Sequence, residues 1–169
     1  MSATVEPERR IHVDVIPAEA RGLQGRRAGL FSRVLANVID LTVVIAGVAG
    51  AYVAWAGIQL LWRGADFTRP TPGLALAIVF AEVLHVSYFT AAWTTSGRTI
   101  GNRVMGLRVL GRGGHRLRIG PALVRAVLCV LFPFALLWAG VSRENRSVQD
   151  LVMRTSVIYD WKPRVREPA

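Results

Sequence analysis

The stretch VLANVIDLTVVIAGVAGAYVAWAGIQLLW, Val34 to Trp62, decides the architecture, and its only ionised side chain is Asp40. A helix needs about 20 apolar residues to cross roughly 30 Å of hydrocarbon, and this run is longer than that. A soluble helix of the same length would show a polar position every third or fourth residue, which this one lacks. A second run, GLALAIVFAEVLHVSYFTAAWTTSG from Gly73 to Gly97, holds one carboxylate, Glu82, with His85 one turn further on. Both runs read as membrane-spanning helices. Gly47, Gly50, Ala54 and Gly57 lie three or four residues apart on the first and offer a small-residue face for close helix contact. Trp62 and Trp93 fall near opposite ends of the pair, where interfacial aromatics are expected.

Between the helices, Arg63 to Pro72 is short and carries Arg-Pro and Thr-Pro turn signals. Beyond them, Ser96 to Gly120 holds six Arg and reads as a basic region lying on the membrane, a short helix or strand leading to a glycine turn. Arg98, Arg103 and Arg108 are its expected lipid-facing cations. A third apolar segment, Ile119 to Val141, contains Arg125 and Pro133. Proline lacks the N–H a helix interior uses, so this segment is expected either to span or to break into a re-entrant pair of short helices. The fold expected is an all-α integral membrane bundle of two spanning helices plus that third segment. Residues 1–28 are expected to form a mobile cytoplasmic tail, with Ile11, Val13 and Val15 at most a short strand. Residues 29–160 form the membrane domain and 161–169 a short basic tail.

The 169 residues are 52% hydrophobic and carry a formal charge of +10. Such a charge raises the question of nucleic acid, yet no nucleic-acid motif or aromatic-basic interleaving is present. The basic residues instead flank the apolar runs, as loops on the cytoplasmic side do. Lys and Arg number six in the first 33 residues, two in the first connection, six in the second and six after Val141. The first three counts give an inside, outside, inside arrangement with a cytoplasmic amino terminus. The fourth argues for a cytoplasmic carboxyl terminus, against a third complete crossing. The long polar flank before Val34 and the length of the apolar run exclude a cleavable signal peptide. Arg outnumbers Lys twenty to one, a bias in keeping with a GC-rich bacterial genome.

Chemistry-bearing residues are few. Arg33, Asn37 and Asp40 share one helix face at spacings of four and three. Asp40 sits on the order of 10 Å inside the helix boundary, where a carboxylate costs roughly 2.5–3.5 kcal/mol without a partner. Arg125 reaches a similar depth from the third segment, so an Asp40–Arg125 pair would relieve both charges and fix helix packing. Glu82 and His85 form an E-x-x-H pair at mid-span, read as a proton relay or an interhelix hydrogen bond. Metal binding needs matching ligands from other helices, and His12 and His115 lie outside the apolar runs. The lone Cys129 can build no disulfide framework and reads as a small buried hydrophobe. There is no G-x-S-x-G elbow, no H-E-x-x-H and no phosphate-binding loop, so neither an enzyme nor a cofactor is expected.

Three segments in order carry a resemblance. They are AGLFSRVLANVID (Ala28 to Asp40), GRTIGNRVMGLRV (Gly97 to Val109) and RSVQDLV (Arg146 to Val152). In these the chain resembles the RDD family of small bacterial polytopic membrane proteins, named for an Arg and two Asp. The resemblance places those residues on Arg33, Asp40 and Asp150. Many members carry His before the last Asp, where this chain has Gln149. Family members are associated with ion or solute transport or have no assigned role, an analogy rather than a mechanism. A meeting of Arg33 with Asp150 requires the carboxyl-terminal region to return to the side where the first helix begins. Two spans enclose no pathway, so the reading is an accessory subunit packed against a larger membrane protein. The alternative is a homo-oligomeric ion or proton transporter. In either case anionic lipids meet the basic region.

Overall fold

The computed structural model describes residues 22–142 and 147–161; the expected strand near Ile11 and most of the two expected tails lie outside them. Helix α1 runs from Leu30 to Arg63 and α2 from Leu74 to Thr95, joined by a 3-10 turn at Gly64–Asp66 and an extended stretch. Their 34 and 22 residues correspond to about 50 Å and about 33 Å of helix. Both are long and apolar enough to cross a membrane, and most of their side chains, Val53, Ile58, Leu61, Leu74 and Val83 among them, are exposed. Of the small-residue face on α1, Gly47 meets Leu84 of α2, while Gly50 and Gly57 look into open space.

The third apolar segment does not form one helix. Helix α4, Ile119–Leu131, has 13 residues and gives way at Phe132 to a 3-10 turn, Pro133–Leu136, and then the short α5, Trp138–Val141. Phe132 adopts φ −126° and ψ 62°, outside the helical region that a following proline disfavours. At ~1.5 Å per residue α4 alone reaches only about 20 Å, short of the roughly 30 Å of hydrocarbon that a single straight helix must cross.

Between α2 and α4 lie the short helix α3, Ile100–Val104, and strand β1, Leu107–Leu110; after α5 come helix α6, Val148–Val152, and strand β2, Ser156–Tyr159. The all-α expectation therefore missed a small antiparallel sheet, in which Leu107 faces Tyr159 and Leu110 faces Ser156. Four-residue strands without strong alternation leave little periodicity to read. A third stretch completes it: the N–H groups of Gly25 and Ala28 donate to the carbonyls of Tyr159 and Val157, and the Tyr159 N–H donates to Arg26. Within the expected tail, residues 24–28 are thus held by hydrogen bonds to the end of the described chain.

The core lies at the end of the molecule where α1 begins and α2 ends. Ala36, Phe89, Trp93, Leu107, Val109, Ala122, Ala126 and Val157 share it. The most extensive helix contact is between α2 and α4. Ala122 and Ala126, one turn apart and fully buried, lower the surface of α4 enough to admit the rings on α2. Trp93 is accordingly a core residue beneath Arg125 rather than an interfacial anchor, whereas Trp62 is exposed as expected.

Candidate functional site: two buried carboxylates

Helix α6 exists to present Asp150. Ser147 caps it: its hydroxyl accepts from the Asp150 N–H at 3.2 Å, and the Ser147 N–H donates to Asp150 Oδ2 at 3.3 Å. This reciprocal capping box fixes the carboxylate at the third helical position. Arg33 donates to Oδ2, and Arg125 donates to Oδ1 at 2.6 Å. The Thr155 hydroxyl accepts from Arg125 and donates to Oδ1 at 3.3 Å. Arg33 also reaches the Ala28 carbonyl through Nε at 3.1 Å, and the Arg125 guanidinium lies 5.1 Å from the centre of the Trp93 ring. Arg33 and Arg125 are each 4% exposed and Asp150 is 1% exposed, so these charges depend on one another rather than on solvent. Burial alone would raise the Asp150 carboxyl, but the guanidiniums of Arg125 and Arg33 outweigh it and hold the group down at about 2.

Asp40, also 1% exposed, is held differently. Its Oδ1 accepts from the Tyr88 hydroxyl at 2.7 Å and the Gly101 N–H at 2.8 Å, and its Oδ2 accepts from the Thr99 hydroxyl at 2.5 Å. Thr99 caps α3 by accepting from the Asn102 N–H, and the Ile100 N–H donates to the Tyr88 oxygen at 2.8 Å. The carboxylate thus takes up the first turn of α3 and pins it to α1 and α2. Gly101 is what permits the approach: a Cβ there would stand 2.0 Å from the Ala36 carbonyl oxygen. Gly106, at φ +64°, serves the same motif differently, because a Cβ would meet the Trp161 ring at 2.4 Å. Between the two carboxylate sites lies a cavity of about 40 Å³, with Arg33, Asp40, Asn102, Arg125 and Gln149 among its walls. That is water-sized.

The expected Asp40–Arg125 pair is not formed. Arg125 pairs with Asp150, and Asp40 is satisfied by two hydroxyls and an N–H, which the spacing of one helix face could not reveal. Arg33 does meet Asp150, as the resemblance requires. Of the cations expected to face lipid, only Arg103 is exposed. Arg98 and Arg108 turn inward to Asp160, each at 2.7 Å, and Gln24 donates to the other oxygen of that carboxylate at 3.1 Å. Asp160 loses some stabilisation to burial, but the hydrogen bonds from Gln24 and Arg98, with the charges of Arg98 and Arg108, bring its carboxyl below the usual range. Glu82 is exposed, and His85 stands edge-on to Phe89 at 4.5 Å. These two do not join the carboxylate network; both line an open groove between α1 and α2. Cys129 is free and half-buried, beside the cavity.

Sequence reasoning missed Thr99, Tyr88, Ser147, Thr155 and Asp160. Two had a signal: Ser147-x-x-Asp150 is a capping box in outline, and Thr99 stands between Gly97 and Gly101 in the motif already noted. Tyr88 is one apolar-run residue among many and had none. Gln149 is buried, and its amide donates to the Phe132 carbonyl at 3.0 Å, fastening α6 to the break before Pro133.

No curated protein and no solved structure matches the chain. The model of the RDD family matches residues 27–154, a span that contains Arg33, Asp40 and Asp150 and covers most of the sequence, so the chain belongs to the RDD family and is a membrane protein of that family.

Proposed function

We propose that this protein is an accessory subunit of a bacterial inner membrane, crossing it twice with the amino-terminal side cytoplasmic, whose helices pack against another membrane chain. The observation that carries the reading is the groove between α1 and α2, an open apolar trough of about 800 Å³ with Ile45, Val48, Trp55 and Phe80 on its walls. Its size and lining suit a helix from another chain. The buried carboxylates support the same reading. Among the described residues Asp150 has four donors and Asp40 three, and the cavity between them, about 40 Å³, is too small for an organic solute. They act as a latch that holds α1, α3, α4 and α6 in register. Around the latch, exposed Arg103, Arg112 and Arg118 favour a surface of anionic headgroups, whereas the far turn offers only Arg63 and Arg69. Extraction in mild detergent with native mass measurement tests this. A stoichiometric companion chain is expected, and a bare monomer that keeps only lipid would end the proposal.

A second reading, an oligomeric ion or proton transporter, is favoured by one observation: Glu82 and His85 stand on the groove wall at mid-span. Purified protein in sealed vesicles separates the two. The accessory role gives no pH-dependent flux; the transporter gives flux that Glu82→Gln with His85→Gln abolishes.

A further inference from the structure

Three residues around the cavity between the carboxylates each carry a buried polar atom that meets no hydrogen-bond partner among the described residues. They are Trp93 Nε1 on α2, Arg125 Nε on α4 and Gln149 Oε1 on α6. Each residue is 4% exposed, so bulk solvent does not serve them. Arg125 already spends Nη1 on Asp150 and Thr155, which leaves the Nε–H over. The Gln149 amide nitrogen donates to the Phe132 carbonyl, which fixes its oxygen as the free acceptor. The set is two donors and one acceptor on three different helices. A buried donor or acceptor without a partner is costly, and the cavities that stay dry are apolar ones. A cavity needs about 10–15 Å³ to admit one water, and this one has about 40 Å³. Charge then chooses the occupant. The formal charges of Arg33 and Arg125 cancel those of Asp40 and Asp150, so an anion or a cation among them would be uncompensated where charge is penalised most. A neutral molecule that both accepts and donates suits the walls.

We infer that this cavity is a binding site for a water molecule, which accepts from the Trp93 Nε1–H and the Arg125 Nε–H and donates to Gln149 Oε1. Buried waters typically make about three such bonds. The site joins α2, α4 and α6 at one point, between the Asp150 hub and the Asp40 site, so the latch is bonded through its middle as well as at its two carboxylates. The inference stands apart from what fills the groove between α1 and α2.

The full chain labelled with 15N-tryptophan, in detergent micelles, offers the test, since it has five indole N–H groups and Trp93→Phe assigns the one of interest. Magnetisation passing from water to the Trp93 indole proton with opposite signs in the laboratory and rotating frames marks a water that tumbles with the protein, and this is expected. Transfer of one sign in both frames, the mark of proton exchange alone, or no transfer at all, would overturn the site. Cys129 stands on the cavity wall, so Cys129→Met should fill the space and abolish the transfer while the other four indole resonances stay in place. A transfer that survives in that variant would seat the water elsewhere and overturn the assignment. Raising sodium chloride should leave the Trp93 indole shift unmoved in the parent; a saturable shift would put an ion in the cavity and overturn the neutral occupant.

Discussion

At the residue scale, Asp150 is the hub: two guanidiniums converge on it, and neither has solvent to fall back on. Asp150→Asn strands both buried cations and is expected to cost about 3–5 kcal/mol, read as loss of folded protein in detergent unfolding curves. The pH dependence has a definite sign. The native carboxyl titrates at about 2, below its ordinary 3.8. Its stabilisation is therefore complete above about pH 4 and disappears as pH falls through about 2, a contribution on the order of 2 kcal/mol. The parent should lose stability across that window more steeply than Asp150→Asn, in which Asp160 still titrates but the hub does not. Parallel curves would show that Asp150 binds its proton equally well in the folded and unfolded chain. Double substitutions separate the partners. Arg125→Leu combined with Asp150→Asn should be strongly non-additive, whereas Arg125→Leu combined with Asp40→Asn should show a smaller coupling, since those two share a cavity wall but no hydrogen bond. The sequence put Asp40 and Arg125 at similar depth but did not show which charges met, and only the return of α6 decides that Asp150 takes both Arg33 and Arg125.

At the scale of elements, the short helices and strands are held by the carboxylates rather than by propensity. A five-residue helix is too short to persist alone, and α3 stands because Asp40, Tyr88 and Thr99 take up its first turn. Gly101→Ala forces a methyl group into the Ala36 carbonyl and must lift α3 off α1. A loss of about 1–3 kcal/mol is expected. Gly120→Ala, on α4 with nothing within 4 Å, is the control and should be neutral or slightly stabilising. Thermal unfolding of the two variants side by side checks the contrast; equal loss in both would mean that α3 does not depend on the close approach. The long helices were legible because a run with one charge in 29 residues leaves no other reading, and the break at Pro133 was legible from the missing N–H. The sheet was not. Its strands are four residues each and pair across nearly fifty positions, and their third member, the stretch from Gly25 to Ala28, looks like a charged tail until β2 is laid beside it.

At the scale of the whole molecule, the architecture is asymmetric: α1 and α2 rise as an apolar pair from one polar cap, and every other described element except the 3-10 turn at Gly64–Asp66 gathers in that cap. The cap holds both ends of the described chain, since the Trp161 N–H donates to Gln24 at 3.0 Å and β2 lies between β1 and residues 25–28. Topology then follows from packing, independently of charge counting. If α1 and α2 each cross the bilayer, the turn at Gly64–Asp66 faces one side, and the cap, with the exit of the chain after Trp161, faces the other. A third complete crossing would carry Asp150 away from Arg33 and Arg125 and leave three buried charges unpaired, a cost that the 13 residues of α4 could not offset. Single cysteines at Asp66, Arg112 and Glu167, introduced after Cys129→Ala removes the native thiol, test this with an impermeant thiol reagent on intact cells. Labelling is expected at position 66 alone, with 112 and 167 reacting only after the membrane is opened. Reaction at 167 on intact cells would place the carboxyl terminus opposite the cap. The Arg33–Asp150 contact, on which the latch depends, could not then exist in the membrane.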